Sequence, residues 1–103
     1  MQRRQKLKIL YDGNDVSSAS SISFGNLDEG IEHKIILSMQ NVIKYPLSVS
    51  IEKPTDTDVS FDQTSMTIQP NEIKNLIISI TPSIDRMEPI SVPLNMKLTY
   101  VVK

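Results

Sequence analysis

Two short acidic groups in this sequence could supply ligands for a metal ion. Asp12-Gly13-Asn14-Asp15 and Asp56-Thr57-Asp58 carry oxygen atoms of the kind that calcium prefers. An EF-hand loop also needs a glycine at its sixth position and a glutamate at its twelfth, and neither group has them. Asp-Gly is a common turn pair, because glycine tolerates a positive φ and aspartate bonds its own backbone. We therefore interpret the first group as a turn and the second as a solvated loop, and predict no metal site.

Groups that could perform catalysis are few. The chain has one histidine, His33, and no cysteine, so thiol and zinc chemistry lack their usual side chains. It has only three glycines, and there is no Gly-x-Ser-x-Gly elbow or glycine-rich phosphate loop. We interpret His33 as a surface residue at the start of a strand. The sequence predicts a protein that is not an enzyme and that uses no cofactor and no small-molecule substrate.

Basic residues are concentrated at the start of the chain. Arg3, Arg4, Lys6 and Lys8 are four of the 11 lysines and arginines. They could form an arm that docks on an acidic protein surface or on a phosphate backbone, or they could be a solvated strand end. The net charge of the chain is −1, which argues against nucleic acid as the partner. We retain residues 1–8 as a candidate arm for a protein partner.

A second candidate surface consists of apolar residues in outward positions. Ile36, Ile43 and Ile77 fall on the outward register of their strands or in loops, as do Val42 and Val101. A cluster of them would be a sticky patch of the kind found in proteins that assemble. The alternatives are a second buried layer or scattered single residues. We predict that Ile36, Ile43 and Ile77 bind partners together with the basic arm.

Short strands must position all of these residues. Apolar and polar residues alternate, and no window of 11 residues keeps the three- and four-residue spacing of a helix. We place residues 41–45 in a connection, and we expect the nitrogen of Pro93 to point off its ladder, at an edge or a bulge. The expected strands cover approximately residues 7–11, 22–24, 32–40, 46–52, 59–61, 66–68, 73–81 and 90–102.

About seven or eight strands without helices are typical of a single antiparallel sandwich. The length of 103 residues suits one domain, and 39% hydrophobic with 22% charged residues is a globular composition. The apolar runs are far shorter than the ~20 residues of a membrane helix, so no membrane partner is expected. The first residues lack the apolar core of a signal peptide, so we expect a protein that is not secreted by that route.

Several motifs resemble those of the immunoglobulin-like modules related to major sperm protein and the ASH domains. The family's opening "Phe-Gly-x-Val" is similar to ISFGNLDEG at 22–30, and its "Leu-x-Asn … Pro-Leu-x-Val" to IIL at 35–37, Asn41 and YPLSV at 45–49. Its "Leu-x-Pro-Gly" and "Val-x-Phe-x-Pro" are similar to MTIQP at 66–70 and ISITP at 78–82. The resemblance covers about residues 20–102 and implies an immunoglobulin-like antiparallel β-sandwich.

These features predict a non-catalytic structural or interaction module of a large assembly. Modules of the resembled type occur in cytoskeletal, ciliary, bacterial surface and phage proteins. Our first expectation is a virion protein, either a phage capsid decoration or a tail-associated protein, whose partners are capsid or tail subunits or a second copy of this chain. The alternative is a soluble cytoplasmic adaptor that binds a peptide or a cytoskeletal partner, as the resembled modules do.

Overall fold

The computed structural model describes residues 6–101, and these residues form strands, turns and loops but no helix. Consequently, this part of the chain contains no helix with the length and apolar character of a membrane span. The strands are β1 Leu7–Tyr11, β2 Asn14–Asp15, β3 Ser21–Gly25, β4 His33–Asn41, β5 Leu47–Ile51, β6 Val59–Phe61, β7 Ser65–Ile68, β8 Ile73–Ile80, β9 Ile90–Pro93 and β10 Met96–Tyr100.

The strands form three antiparallel sheets around one hydrophobic core. The five-stranded sheet has the order β2-β1-β4-β8-β6, the three-stranded sheet has the order β10-β5-β7, and β3 and β9 form a two-stranded ribbon. Every strand pair is antiparallel. All three sheets contribute buried side chains to the same cluster, so the arrangement is sandwich-like. The prediction of an all-β, antiparallel fold is confirmed.

The centre of the five-stranded sheet shows why the alternating pattern predicts the core. Leu37 and Met39 of β4 and Leu76 and Ile78 of β8 are completely buried. The residues between them point to the other side of the sheet, because successive side chains of a strand alternate. Full burial of one such side chain contributes about 1.5–3 kcal/mol. The inward register predicted for both strands is therefore confirmed.

The described residues form ten strands, and the two additional ones arise at a turn and at a break. At the turn, Asp12 and Gly13 have φ values of 51° and 80°, and the chain returns along β1 so that Asn14 pairs with Tyr11. This hairpin adds β2. The break divides the segment predicted as one strand over 90–102 into β9 and β10, so that prediction is wrong.

The last segment is divided because its two halves have different partners. Leu94 N–H donates to Ser20 O at 2.8 Å on the side of β3, whereas Asn95 O accepts from Glu52 N–H at 2.9 Å on the side of β5. Backbone groups of successive strand residues point to opposite sides, so the chain exchanges one neighbour for the other at this point. Leu94 directs its N–H toward β3, so the preceding residue, Pro93, directs its backbone nitrogen to the opposite side. The nitrogen of Pro93 therefore points off the ladder with β3, as expected.

Asn41 is the one buried polar side chain among residues 6–101. We expected it in a connection, but it is the last residue of β4 and pairs with Leu7 of β1. Its Nδ2 donates to Tyr45 O at 2.8 Å and to Ile68 O at 2.9 Å, and its Oδ1 accepts from Ile43 N–H at 2.9 Å. These bonds join the β4–β5 connection to β7 and thereby position Tyr45.

Candidate interaction surfaces

Ile36 and Ile77 meet on the outer face of the five-stranded sheet. Ile36 of β4 lies directly opposite Ile77 of β8, and Ile36 is 53% exposed. Asn41 N–H donates to Glu72 O, so Asn41 belongs to a hydrogen-bonded pair of this ladder. Hydrogen-bonded and non-hydrogen-bonded pairs alternate, so the odd-numbered residues of β4 are in hydrogen-bonded pairs and the even-numbered residues are not. Ile36 and Ile77 therefore form a non-hydrogen-bonded pair, in which opposing side chains lie closest together.

Two further apolar residues, which were not among the predicted partner-binding residues, share this outer face. Leu10 of β1 lies opposite Ser38 and is therefore a diagonal neighbour of Ile36. Ile73 of β8 is 58% exposed and has the same outward register as Ile77. We call Leu10, Ile36, Ile73 and Ile77 the apolar face. Alternation within each strand gives their direction, but only the sheet order makes Leu10, Ile36 and Ile77 neighbours. The polar Ser38–Asn75 pair separates Ile73 from the other three.

Two lysines flank the apolar face. Lys8 lies opposite Gln40, which lies opposite Ile73, so Lys8 occupies the same side of the sheet. Lys34 lies toward the other end of β4, and its Nζ is 3.9 Å from Glu32 Oε1, with both side chains more than half exposed. A solvent-exposed pair of this kind contributes little to stability. The lysines therefore remain able to attract an acidic partner toward the apolar face.

Lys6, another residue of the predicted basic arm, directs its ammonium group away from this face. Arg3 and Arg4 lie outside the described residues. Lys6 Nζ lies 4.7 Å from the centroid of the Tyr100 ring, within the range of a cation–π interaction. Tyr100 in turn packs edge-to-face against Tyr45, with 6.3 Å between ring centroids. Lys6, Tyr45 and Tyr100 therefore form a second exposed group, beside the start of β1 and the end of β10.

Ile43 does not belong to either exposed surface. Its side chain is half-buried and packs against the hydrophobic core. The bond from Ile43 N–H to Asn41 Oδ1 holds the connection close to the end of β4. The prediction that Ile43 lies in an outward patch is therefore wrong.

Arg86, which was not among the residues predicted from the sequence, forms a dense group of polar contacts. Its Nη1 donates to Asp56 Oδ1 at 3.2 Å and to Asp58 Oδ2 at 2.9 Å, and its Nη2 donates to Asp56 Oδ2 at 2.8 Å. Its Nε and Nη2 also donate to the carbonyls of Glu88 and Pro89. These contacts match the five N–H donors of a guanidinium group. Since the side chain is only 16% exposed, we interpret Arg86 as a structural clamp.

The clamp joins the β5–β6 loop to the β8–β9 loop. Asp58 accepts hydrogen bonds from the hydroxyl and the backbone N–H of Ser83, and with Arg86 these bonds lower the pKa of Asp58. The bonds to Asp56 raise the pKa of Arg86. Asp56 and Asp58 are therefore not in the solvated loop that we expected. A bound guanidinium already occupies the position where a cation would contact their carboxylates.

The other candidate polar residues have local structural roles. Asp15 accepts from Ser17 N–H at 2.9 Å and from the Ser17 hydroxyl, and these bonds lower the pKa of Asp15. His33 begins β4, and its Nε2 lies 3.1 Å from Asp28 O, which agrees with its interpretation as a strand-start residue. Within residues 6–101, no three His, Asp or Glu side chains are arranged to hold a metal ion.

The surface of residues 6–101 includes two depressions near these groups. One of about 460 Å³ lies beside the start of β10, between Glu52, Met96 and Lys97. The other, of about 260 Å³, lies beside the Arg86 clamp, between Leu27, Met87 and Ile90. The only histidine of the chain lines neither of them.

No known family model matches the chain, and a search of curated proteins finds no significant match. The surfaces themselves must therefore support any proposal about function.

Proposed function

We propose that this protein is a non-catalytic structural module of a large assembly, and that it docks through the apolar face. The observation that carries this proposal is the outward-facing Ile36–Ile77 pair, in which Ile36 is 53% exposed and Ile77 is half-buried. Full burial of an exposed isoleucine side chain contributes about 1.5–3 kcal/mol before the losses of association, and roughly half of that is available at Ile36, which is 53% exposed. A stable contact also needs roughly 1,000 Å² of buried surface, which a docked face of a five-stranded sheet can supply.

The assembly that we propose is a virion, with the chain acting as a capsid decoration or as a tail-associated protein. Its partners are then capsid or tail subunits or a second copy of this chain. Lys8 and Lys34 support an acidic partner surface, because positive charge at the rim of an apolar patch orients and accelerates docking. Arg3 and Arg4 extend this basic character in our proposal, as an arm that holds the acidic neighbour.

We propose further that the fold is a single immunoglobulin-like domain. The sheet order β1-β4-β8-β6 supports this. An immunoglobulin sheet has the order A-B-E-D, and β1, β4, β6 and β8 follow one another along the chain as A, B, D and E do. The neighbours β5 and β10 correspond to strands C and F of the second sheet. The major sperm protein and ASH-type resemblance of the sequence is part of the same proposal.

Co-sedimentation tests the assembly proposal. The chain is mixed with purified particles from its source and centrifuged through a density gradient, and we expect it in the particle fractions. The double variant Ile36→Thr/Ile77→Thr should remain near the top, because it removes apolar contact area while threonine still suits a strand. The matched control is Ile84→Thr, since Ile84 is 74% exposed but lies in the β8–β9 loop.

The thermal midpoints of both variants are measured to show that the fold is intact. A wild-type chain that stays at the top of the gradient, as a monomer without particles, contradicts the proposal. Equal loss of particle binding in Ile84→Thr contradicts the role of the apolar face.

A soluble cytoplasmic adaptor is the second candidate. The observation that favours it is the outer edge of β10, which pairs with no strand of residues 6–101, because a strand edge is a common docking site for an extended peptide. A stable monomer that binds a peptide but never co-sediments with particles would support this candidate.

A further inference from the structure

The outer edge of β10 presents backbone groups that have no partner among residues 6–101. Glu52 N–H donates to Asn95 O and Val101 N–H donates to Pro46 O, so the odd-numbered positions of β10 face β5. The N–H and C=O groups of Met96, Leu98 and Tyr100 consequently face the opposite side. No other described strand pairs with β10 there.

This edge is open because β3, the strand beside β9, does not extend as far as β10. β3 occupies the same side of the segment further upstream, where Leu94 N–H reaches Ser20 O. Before Ser20 the chain follows a different path, since Val16 N–H bonds to Ile9 O of β1. An added strand alongside β10 would therefore continue the line of β3. The N–H and C=O groups of Met96, Leu98 and Tyr100 already point toward that position.

The other sheet edges of the described residues are less suited to pairing. The outer edge of β9 carries Pro93, whose nitrogen has no hydrogen to donate. β2 and β6 are edge strands of only two and three residues. The outer edge of β7 is blocked at Thr67 O, which accepts from Lys74 Nζ at 2.6 Å. The outer edge of β3 carries exposed serines and a bulge between Ser23 and Gly25. Bulges and lysines are devices that protect edges from unwanted pairing. β10 has no bulge, and its one lysine, Lys97, leaves the backbone groups of Met96, Leu98 and Tyr100 uncovered.

The side chains around the edge indicate the chemistry of the missing strand. Met96 and Leu98 are half-buried against the core, so an added strand would find apolar surface on its inner side. Lys6 Nζ lies over the exposed Tyr100 ring at one end. Lys97 faces outward from the middle of the strand. Neither ammonium group is in an ion pair with a described carboxylate.

We propose that the β10 edge binds an extended segment of a partner protein by strand addition. The segment has apolar residues at alternate positions and a carboxylate near the Tyr100 end, where it contacts Lys6. This proposal deepens the proposed function, because it rests on the chain being an interaction module. A second copy is a poorer occupant. If the β10 edges of two copies paired about Leu98, Lys6 and Lys97 of both copies would lie along the same strand pair, and their like charges would repel.

Amide hydrogen exchange measured by NMR tests the proposal on the full chain. In the free protein, the amides of Lys97 and Thr99 should be protected by β5, while those of Met96 and Leu98 exchange rapidly. The probe is a hexapeptide of alternating valine and threonine with glutamate at one end. When the peptide concentration is about ten times the dissociation constant, amide exchange at Met96 and Leu98 should slow about tenfold, because these amides exchange only in the protein molecules that have no peptide bound.

Matched peptides and variants test each part of the proposal. The same peptide methylated on alternate backbone nitrogens should not protect these amides, because it cannot donate to the edge. Replacing its glutamate by lysine should weaken binding about two- to fivefold, and Lys6→Gln should do the same. The control Lys34→Gln, on the other sheet, should leave the affinity unchanged. Leu98→Pro should abolish peptide binding while Leu98→Ala retains it, since only proline removes the edge N–H.

The exchange pattern of the wild-type chain remains decisive if Leu98→Pro fails to fold. Absence of protection at millimolar peptide overturns strand addition, as does binding that leaves the amides of Met96 and Leu98 unprotected. Protection that appears on raising the protein concentration without peptide identifies a second copy as the occupant and overturns the proposed partner. Each of these failures leaves particle co-sedimentation through the apolar face standing, so the two proposals fail separately.

Discussion

Replacing the buried Asn41 by alanine should cause one of the largest losses of stability available to a single polar substitution in this chain. The side chain makes three hydrogen bonds, at 2.8, 2.9 and 2.9 Å, to backbone groups of Tyr45, Ile68 and Ile43. One intramolecular hydrogen bond contributes about 1 kcal/mol net, and a buried group left without a partner costs more. We therefore expect Asn41→Ala to lower the free energy of unfolding by about 3–5 kcal/mol.

Urea denaturation followed by circular dichroism measures this loss. A small domain is typically stable by about 5–15 kcal/mol, so the midpoint should move far outside experimental error. The matched control is Asn75→Ala. Asn75 is exposed and its side chain accepts one bond from Ser38 Oγ at 3.2 Å, so we expect a change below about 0.5 kcal/mol.

The variant Asn41→Asp separates hydrogen bonding from packing. Aspartate has nearly the same shape and can still accept from Ile43 N–H, but as a carboxylate it cannot donate to Tyr45 O or Ile68 O. We expect it to be destabilised at neutral pH and to recover toward wild type as the pH falls and the carboxyl becomes protonated, because burial raises its pKa. A loss below about 1 kcal/mol for both Asn41 variants would refute the reasoning, because the bonds would then contribute no more than exposed ones.

Three further results are expected. Leu76→Ala, in the completely buried centre of β8, should cost about 2–5 kcal/mol in urea denaturation, whereas Ile73→Ala on the exposed face should cost far less. Arg86→Met should speed amide exchange in both loops that the clamp joins, and unchanged exchange there would contradict its structural role. Because the folded-state pKa of Asp58 is lowered, its contribution to stability is present above about pH 4 and is lost as the pH falls through the folded pKa. Thermal midpoints of wild type and Asp58→Asn should therefore converge on acidification, and parallel curves would exclude this contribution.

The strand content and most of the inward-facing register were predictable from the sequence, because alternation is a local property of an extended chain. Leu37, Met39, Leu76 and Ile78 are buried as the pattern predicts. The outward direction of Ile36 was predictable in the same way. What local alternation does not contain is the identity of the neighbouring strand, and so it did not reveal that Ile36 and Ile77 lie opposite each other.

The Arg86 clamp was not predictable for the same reason. Arg86 and Asp56 are separated by 30 positions and lie in two loops whose residues have no periodic pattern. The acidic group at residues 56–58 therefore suggested only a solvated loop or calcium ligands. Side chains in loops are brought together by the sheets that the loops connect, and that arrangement exists only in the folded chain.

The long alternating segment at residues 90–102 shows most clearly where the sequence stops and the tertiary structure begins. By itself the sequence determined that this segment is extended, with Val92 and Leu94 buried. Only the tertiary structure decided that it divides, with β3 beside its first half and β5 beside its second. Side-chain direction depends on a residue's own backbone, whereas strand partners depend on chain segments far away in sequence. Those distant partners also determine that the outer edge of β10 pairs with no other strand of the described residues.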